Sequence, residues 1–381
     1  MRLLFTLFFF ITTVPWAFSQ SSLNAAQSNF TKGEKYAKIK EGVEAIYQLN
    51  FTQSNKIIGQ LEAELPQSPI PHLLKGLQTY WQSVPIYVYP DKLALFQGHM
   101  LNAVDKSEKI LNKDPENTEA LFLAMAAEGL LAETYADAGK SFKAVGAAKR
   151  SYSYIKKGFS RTDELKEFYL STGLYNYYRE YYPEAHPIYK PFMSFFMKGN
   201  KTLGIRQLEK AAREAALAHV LAKYYLCYIF MRYENIPAKA LKHAGDLSRS
   251  YPRNLVFGAI YTETLMINKK YEQAIPQANR LLKTKNPYLS IYGQLFQGVI
   301  EEQHHANFEN AKNNYLETIR LSQKHEMDRP QLESWANLGL GRIYLAQNNE
   351  KEARKYFKKA ADMASARWTK DEARSYLKTS N

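Results

Sequence analysis

The stretch that decides the fold lies near the C-terminus of this 381-residue chain and reads Ser334-Trp-Ala-Asn-Leu-Gly-Leu-Gly-Arg-Ile-Tyr-Leu-Ala-Gln-Asn-Asn-Glu-Lys-Glu-Ala-Arg-Lys-Tyr-Phe-Lys-Lys-Ala360. Its apolar and small residues recur at three- and four-residue intervals, which predicts two amphipathic helices. Gly341 and Ala353 are small, so we expect the two helices to approach closely where they cross. Tyr344, Leu340 and Phe357 are expected to fill the space around that crossing.

The spacing of these residues also carries a family resemblance. The stretch resembles a tetratricopeptide repeat, because six residues fall where that family places its signature side chains: Leu340, Gly341, Tyr344, Ala353, Phe357 and Ala360. The resemblance implies helix pairs that cannot bury their apolar faces alone and therefore stack on their neighbours. Ala360 is expected to let the next helix dock.

Weaker copies of the same spacing run through the rest of the chain. They are marked by Gly42, Ser54, Ile58, Leu61 and Pro66; by Ala103, Ser107, Ile110 and Pro115; by Tyr228, Ala240, Ala244, Leu247 and Pro252; by Ala274 within residues 271–282; and by Ala311 and Tyr315. With a repeat of about 34 residues, these copies predict an all-α, right-handed α-solenoid of about seven tetratricopeptide-like helix pairs. We expect this solenoid to span residues 34–381.

Two aromatic segments interrupt the pattern. Residues 80–90 are bounded by proline and rich in tyrosine, and residues 175–196 read YNYYREYYPEAHPIYKPFMSFF. These predict insertions near 80–90 and 182–199. Residues 175–211 also show a weak similarity to a eukaryotic tetratricopeptide family linked to the mitochondrial outer membrane and inclusion-body clearance, with Asn200 and Ile205 departing from its pattern. That similarity implies shared architecture and no activity.

The N-terminus predicts export. Arg2 precedes an apolar run at residues 3–17, and Ala17-Phe-Ser19 provides a small-x-small cleavage pattern, so residues 1–19 read as a signal peptide and 20–33 as a flexible segment. The ending is similar to signal peptides of Bacteroidetes-type bacteria, which implies the periplasm, with outer-membrane association left open. Gln20 stands where a lipoprotein needs cysteine, so lipid anchoring is not expected.

The charge of the chain favours anionic partners. Lys and Arg number 51 against 37 Asp and Glu, a formal net charge of +14. Residues 351–381 alone carry nine Lys or Arg against four Asp or Glu. In an exported protein, nucleic acid becomes a disfavoured partner, and peripheral contact with anionic envelope components stays open as an alternative to an ordinary solvated surface.

The sequence contains no recognisable motif of an enzyme, a metal site or a cofactor site. The glycines at 339 and 341 belong to a repeat helix and lack the third glycine of a dinucleotide site. The run Glu301-Glu-Gln-His-His305 offers carboxylate and imidazole groups three residues apart, but a di-metal bundle would need a second copy. Cys227 occupies a core position of its repeat, where burial silences a thiol. We therefore predict no catalytic residue, no metal and no cofactor.

The predicted function is a non-enzymatic interaction scaffold or adaptor of the cell envelope that binds a partner peptide or helix in the concave groove. Transferring the repeat positions to this chain gives nine groove candidates, most of them Tyr or Arg, the residue types enriched in binding hot spots: Tyr47, Tyr178, Arg179, Tyr225, Arg232, Tyr233, Glu263, Trp335 and Arg342. Three alternatives remain: a small-ligand or glycan binder that uses the aromatic insertions, a peripheral membrane protein, and an enzyme whose convergent polar residues the sequence does not reveal.

Overall fold

The computed structural model describes residues 33–185, 187–188, 190–191, 196–325 and 330–379. The described residues form seventeen α-helices and no strand. The helices are α1 Glu34–Tyr47, α2 Phe51–Glu64, α3 Ile70–Gln82, α4 Pro90–Leu111, α5 Thr118–Asp137, α6 Ser141–Gly158, α7 Phe168–Ala185, α8 Lys201–Glu214, α9 His219–Tyr228, α10 Pro237–Ser250, α11 Leu255–Ile267, α12 Tyr271–Leu282, α13 Pro287–Gln303, α14 Phe308–Lys324, α15 Pro330–Ala346, α16 Glu350–Met363 and α17 Arg367–Thr379. A 3₁₀ turn, Ile86–Val88, precedes α4, and a π-helical segment, Ile229–Tyr233, continues α9.

The predicted signal peptide at 1–19, and the flexible segment apart from Gly33, lie outside the described residues. Among the helices that are described, none combines the length and the apolar character needed to cross a bilayer.

The helices pack as consecutive pairs, which confirms the predicted all-α fold of stacked helix pairs. They divide into two compact units, the first ending at Ala222 and the second beginning at Lys223. The described pairs number eight, from α1/α2 to α15/α16, with α17 closing the series. The repeat spacing marks neither the α5/α6 pair nor the α7/α8 pair. The first helix of the former, α5, is apolar on nearly every side, so it has no clear apolar stripe to recognise. In the latter, α7 carries the start of the second aromatic segment, which interrupts the pattern.

The turn inside most pairs has the same backbone geometry. In six of the eight pairs, a residue two or three positions after the end of the first helix has a positive φ: Leu49, Gly139, Asn235, Lys269, Ala306 and Asn348. This left-handed residue ends the first helix and redirects the chain into the second. The two remaining pairs are α3/α4 and α7/α8, whose connections run through residues 83–89 and 186–200. These connections lie in the two regions where the sequence predicts insertions.

Asparagine begins many of the helices. In seven of the described helices an Asn side chain accepts a hydrogen bond from a backbone N–H of the first turn, at Asn50, Asn117, Asn200, Asn254, Asn286, Asn307 and Asn349. Because these first-turn N–H groups have no partner inside the helix, each cap stabilises its helix by about 1 kcal/mol.

Small residues allow the helices of a pair to touch, as the repeat spacing predicts. A Cβ atom on Gly341 would lie 2.5 Å from the ring of Phe357, and Ala353 and Ala360 are buried beside it. At the α7/α8 crossing, a Cβ on Gly204 would lie 2.6 Å from the backbone nitrogen of Tyr177. Tyr344 differs from the expectation, because it is only half-buried and stacks on Tyr356 at 5.3 Å.

Each unit brings its first and last helical segments together. In the first unit, His219 at the start of α9 lies 2.9 Å from a carboxylate oxygen of Glu44 in α1. In the second unit, α17 contacts the π-helical segment. Consistent with this closure, α9 and α11 have no exposed residue, and α3, α5, α13 and α15 each have one, at the C-terminal end. In these six helices, the face that the repeat spacing assigns to an open groove is therefore mostly buried or half-buried.

Candidate functional site

Four of the nine groove candidates lie in the core. Tyr47, Tyr178, Glu263 and Trp335 are at most 7% exposed. Tyr47 and Trp335 pack edge-to-face against the tryptophans Trp81 and Trp368. Repeat position alone places these four on an accessible face, and the structure corrects that expectation, because neighbouring helices cover them. Contact with a partner stays a prediction for the other five.

Arg232 and Glu263 are brought together, but they bind each other. The Arg232 Nη2 atom lies 3.0 and 2.9 Å from the two carboxylate oxygens of Glu263, and its guanidinium carbon lies 4.5 Å from the ring centre of Tyr228. Glu263 is buried, so this is a desolvated ion pair. It fixes the π-helical segment against α11. Tyr225 and Tyr233, on the same stretch, are half-buried.

Arg342 also forms ion pairs within the fold. Its guanidinium donates to both oxygens of Glu302, one of them at 2.8 Å, and to Glu372 on α17 at 2.8 Å. The hydroxyl of Tyr315 donates to Glu302 at 2.6 Å. Burial and the adjacent carboxylate raise the pKa of the Tyr315 hydroxyl. These contacts join α13, α14, α15 and α17.

The remaining candidate, Arg179, lines a cleft beside the α7–α8 connection. The cleft encloses about 370 Å³ and is open to solvent. Its described lining consists of the basic residues Arg179, Lys190 and Lys198, the acidic residues Glu180 and Glu184, and Pro183 and Gly199. Of the predicted groove residues, this one is placed in a concave, charged and accessible setting.

Local geometry shapes the cleft. A Cβ on Gly199 would lie 2.7 Å from Arg179 Cβ and 2.8 Å from the Asn176 carbonyl oxygen, so only glycine lets the connection approach α7 this closely. Asn200 then caps α8 by accepting from the Leu203 N–H at 2.8 Å. The glycine and the cap together hold the basic connection against the last turns of α7.

Both acidic residues of the cleft are bound to Lys201. Glu180 accepts from the Lys201 backbone N–H at 2.5 Å, and Glu184 accepts from Lys201 Nζ at 2.8 Å. Lys190 and Lys198 form no ion pair with any described carboxylate. The cleft therefore presents cations to solvent while its own carboxylates are occupied. Such a setting suits a carboxylate or phosphate ligand.

The sequence does not identify Lys190 and Lys198, because they stand outside the helical repeat positions. The signal that could have found them is the basic character of a proline-broken insertion that already holds Arg179.

The aromatic residues near this insertion pack on one another. Tyr152 stacks on Tyr175 at 5.6 Å and meets Phe196 edge-to-face at 5.5 Å, while Phe159 lies 5.4 Å from Tyr175. In the other insertion, Trp81 and Ile86 are buried. The described rings serve packing, and the cleft lining is charged rather than aromatic. Geometry thus favours an anionic ligand over a stacked sugar.

The histidines considered as metal ligands contact single carboxylates, and the cysteine considered as a nucleophile is buried. His304 lies 2.8 Å from Glu272, and His305 lies 3.3 Å from Glu301. Among the described residues, no three His, Cys, Asp or Glu groups converge as a metal site. Cys227 is buried, as predicted, and burial raises the pKa of its thiol. A protonated, inaccessible thiol is a poor nucleophile.

Comparison with known proteins found no matching family model and no matching curated protein. Solved structures with helical-repeat architecture do match. Yeast Tom70 is 14% identical over 91% of this chain and 80% of its own, with a TM-score of 0.39. NprR in complex with its cognate peptide NprX is 13% identical over 90% and 81%, with a TM-score of 0.37. The C-terminal part of a TPR repeat-containing protein from Cytophaga hutchinsonii is 13% identical over 88% and 98%, with a TM-score of 0.27. Similarity at this level assigns no function.

Proposed function

We propose that this chain is a non-enzymatic protein–protein interaction scaffold of the cell envelope, and that its α7–α8 cleft binds an acidic segment of a partner polypeptide. The observation that carries the proposal is the cleft itself, where Arg179, Lys190 and Lys198 surround a space whose two carboxylates are already bound to Lys201. An entering carboxylate would meet the two exposed lysines, which form no ion pair with any described carboxylate.

The residue types fit this ligand. Arginine can hold a carboxylate through two parallel N–H donors, and the two lysines add positive charge without demanding one geometry. Because both lysines are exposed, the attraction depends on salt and acts mainly on the rate of encounter. A short acidic peptide segment matches the volume of the cleft better than a folded domain does.

The cell-envelope part of the proposal is supported by the N-terminal sequence pattern, with its basic start, apolar run and small-x-small ending. The non-enzymatic part is supported by the internal pairing of the charged groups that a reaction centre would need. Glu263, Glu302 and Glu167 all bind groups of this chain.

The cleft is tested with a fluorescent glutamate-rich peptide and fluorescence anisotropy. Lys190→Glu/Lys198→Glu should weaken binding by about tenfold or more, because two attractions become repulsions. The matched control is Lys40→Glu/Lys56→Glu, which changes the same charge at exposed positions of α1 and α2. Equal weakening in both variants would show that the peptide senses only net charge and would refute the cleft.

The scaffold role is tested by chemical crosslinking in intact cells, followed by recovery of the protein from envelope fractions. A polypeptide captured by the wild type and lost in the cleft variant supports the proposal. Recovery of small molecules alone, with no polypeptide, would refute it.

A further inference from the structure

The turn between α5 and α6 presents a lone aromatic ring to solvent. Residues 139–143, Gly-Lys-Ser-Phe-Lys, are exposed without interruption, and Phe142 is 96% exposed. No other large apolar side chain described as exposed exceeds 75%. Burying a phenylalanine side chain is favourable, so this ring would gain free energy from an apolar surface that covered it.

The turn that carries Phe142 is fixed by the backbone. Gly139 adopts φ 70° and donates its N–H to the Ala136 carbonyl at 3.0 Å, and Lys140 donates to the Tyr135 carbonyl at 2.7 Å. These are the hydrogen bonds of a left-handed helix ending. Phe142 therefore projects from the first turn of α6 on a defined hairpin.

The turn that carries Phe142 and the rest of α6 are basic. Residues 139–158 contain six Lys or Arg and no Asp or Glu. Arg150 binds the buried Glu128, and Lys157 lies 3.8 Å from Glu116. The other four cations form no ion pair with any carboxylate that the structure describes: Lys140, Lys143, Lys149 and Lys156. Two of them, Lys140 and Lys143, flank Phe142.

We propose that this tip docks on an anionic lipid bilayer, with Phe142 entering the headgroup–acyl boundary and the flanking lysines binding lipid phosphates. A basic segment with one inserted aromatic is the chemistry of reversible attachment to such a surface. Lys140 stands at the N-cap of α6, and because its ammonium group cannot accept a hydrogen bond, the first-turn amides of α6 can donate to a headgroup phosphate.

A bilayer suits this tip better than a protein partner does. The neighbours of Phe142 along the chain are Ser141 and Lys143, so its apolar area is that of one ring. A protein interface needs a contiguous patch with a desolvated centre, whereas a bilayer surrounds an inserted ring with apolar matter on its own. The inference goes beyond the proposed function and uses a different surface from the α7–α8 cleft.

Co-sedimentation with vesicles tests the proposal. The full chain should bind phosphatidylcholine vesicles that contain phosphatidylglycerol and not pure phosphatidylcholine vesicles. Phe142→Ala should reduce partitioning by about tenfold and Phe142→Leu should retain most of it, because leucine keeps the apolar contact. Lys140→Glu/Lys143→Glu should abolish binding.

The matched control is Lys358→Glu/Lys359→Glu, which reverses two adjacent exposed lysines on α16. Binding should persist in this variant. Equal loss in both double variants, with Phe142→Ala unchanged, would show a response to net charge alone and would overturn the proposal. Free inorganic phosphate at matched ionic strength should not compete with vesicles; efficient competition would identify a soluble phosphate site instead.

Insertion of the Phe142 ring into the bilayer is measured with a fluorescent label on the neighbouring residue. Cys227 is the only cysteine and is buried, so Ser141→Cys can be labelled selectively with bimane. The label should be quenched by nitroxide lipids in anionic vesicles. A label at Ser141 that stays in water while the protein binds vesicles would refute insertion at this tip. The proposal would also be refuted if the chain did not bind vesicles but captured a protein in a way that required Phe142. Peptide binding by the cleft variants is measured separately, so either proposal can fail alone.

Discussion

Arg342 and Glu302 form a two-point ion pair between residues forty positions apart, with Nη2 of the arginine 2.8 Å from Oε2 of the glutamate. The glutamate is 7% exposed and also accepts from Tyr315. A buried carboxylate of this kind is tolerated because its partners replace water. The pair therefore acts as a connection between α13 and α15 more than as a point of contact for a partner.

Arg342→Ala should destabilise the second unit by about 3–5 kcal/mol, because it leaves the Glu302 charge buried and uncompensated. Urea unfolding followed by circular dichroism measures the change. The control is Arg320→Ala, which removes an exposed arginine from an i,i+3 pair with Glu317 and should change the stability far less, because water and salt screen an exposed pair. Replacing Arg342 and Glu302 together by leucine should restore much of the loss; if the double variant is no more stable than Arg342→Ala, the buried charge is not the cause.

The helix pairs could be predicted because their determinants are local. Gly341, Ala353 and Phe357 lie within one hairpin, and the contact between the two helices follows from their sizes and spacing. The two insertions are equally local, since proline and aromatic runs interrupt the period. The left-handed turn residue was not predictable from residue type, because Leu49, Lys269 and Ala306 adopt it as well as Gly139.

The accessible site could not be predicted in the same way. Repeat position tells which face of a helix a residue occupies, but not what lies opposite. Arg232 meets Glu263 and Arg342 meets Glu302 across pairs, 31 and 40 residues away. These sequence separations are far larger than the three- to four-residue spacing within a helix. The sequence alone therefore does not show that the two arginines are already paired.

Glycine-to-alanine exchanges separate close packing from helix propensity. Gly204 in α8 and Gly98 in α4 belong to the same unit, but a Cβ on Gly204 would lie 2.6 Å from the Tyr177 backbone nitrogen, while a Cβ on Gly98 meets nothing within 4 Å. Gly204→Ala should cost about 1–3 kcal/mol through overpacking. Gly98→Ala should stabilise by up to about 1 kcal/mol, because alanine is the better helix former. Thermal melts of the two variants should move in opposite directions; a shared direction would contradict the crossing geometry.

Glu167 holds the connection between α8 and α9 in place just before α9 begins. Its buried carboxylate accepts from the backbone N–H groups of Leu217 and Ala218, at 3.1 and 2.9 Å, and from that of Ala216. Glu167→Gln should lower the free energy of unfolding by about 1–3 kcal/mol, because the new amide would turn N–H donors toward N–H donors. Urea unfolding measures this. Glu214→Gln, at an exposed position of α8, is the matched control and should be near neutral; an equal effect at both sites would show that the hydrogen bonds to this connection are not what Glu167 contributes.

The partly buried imidazoles of His72 and His99 should make the stability of the first unit depend on pH. Their rings lie 6.3 Å apart, and burial lowers the pKa of both imidazoles below the ordinary 6.5, helped by Lys75 and opposed by Glu62. Between that lowered pKa and 6.5, the unfolded chain binds protons that the folded chain does not.

The stability from keeping these imidazoles neutral is therefore present above pH 6.5 and lost as the pH falls through the folded-state pKa. In His72→Gln/His99→Gln, the fall in the urea midpoint between about pH 7.5 and about pH 5 should be smaller than in the wild type, because two of the protons taken up on unfolding are gone. Carboxylates titrate in both chains, so the difference between the two curves isolates the histidines. Superimposable curves would mean that the two imidazoles titrate alike in the folded and unfolded chain, and that their burial imposes no cost on the charged form.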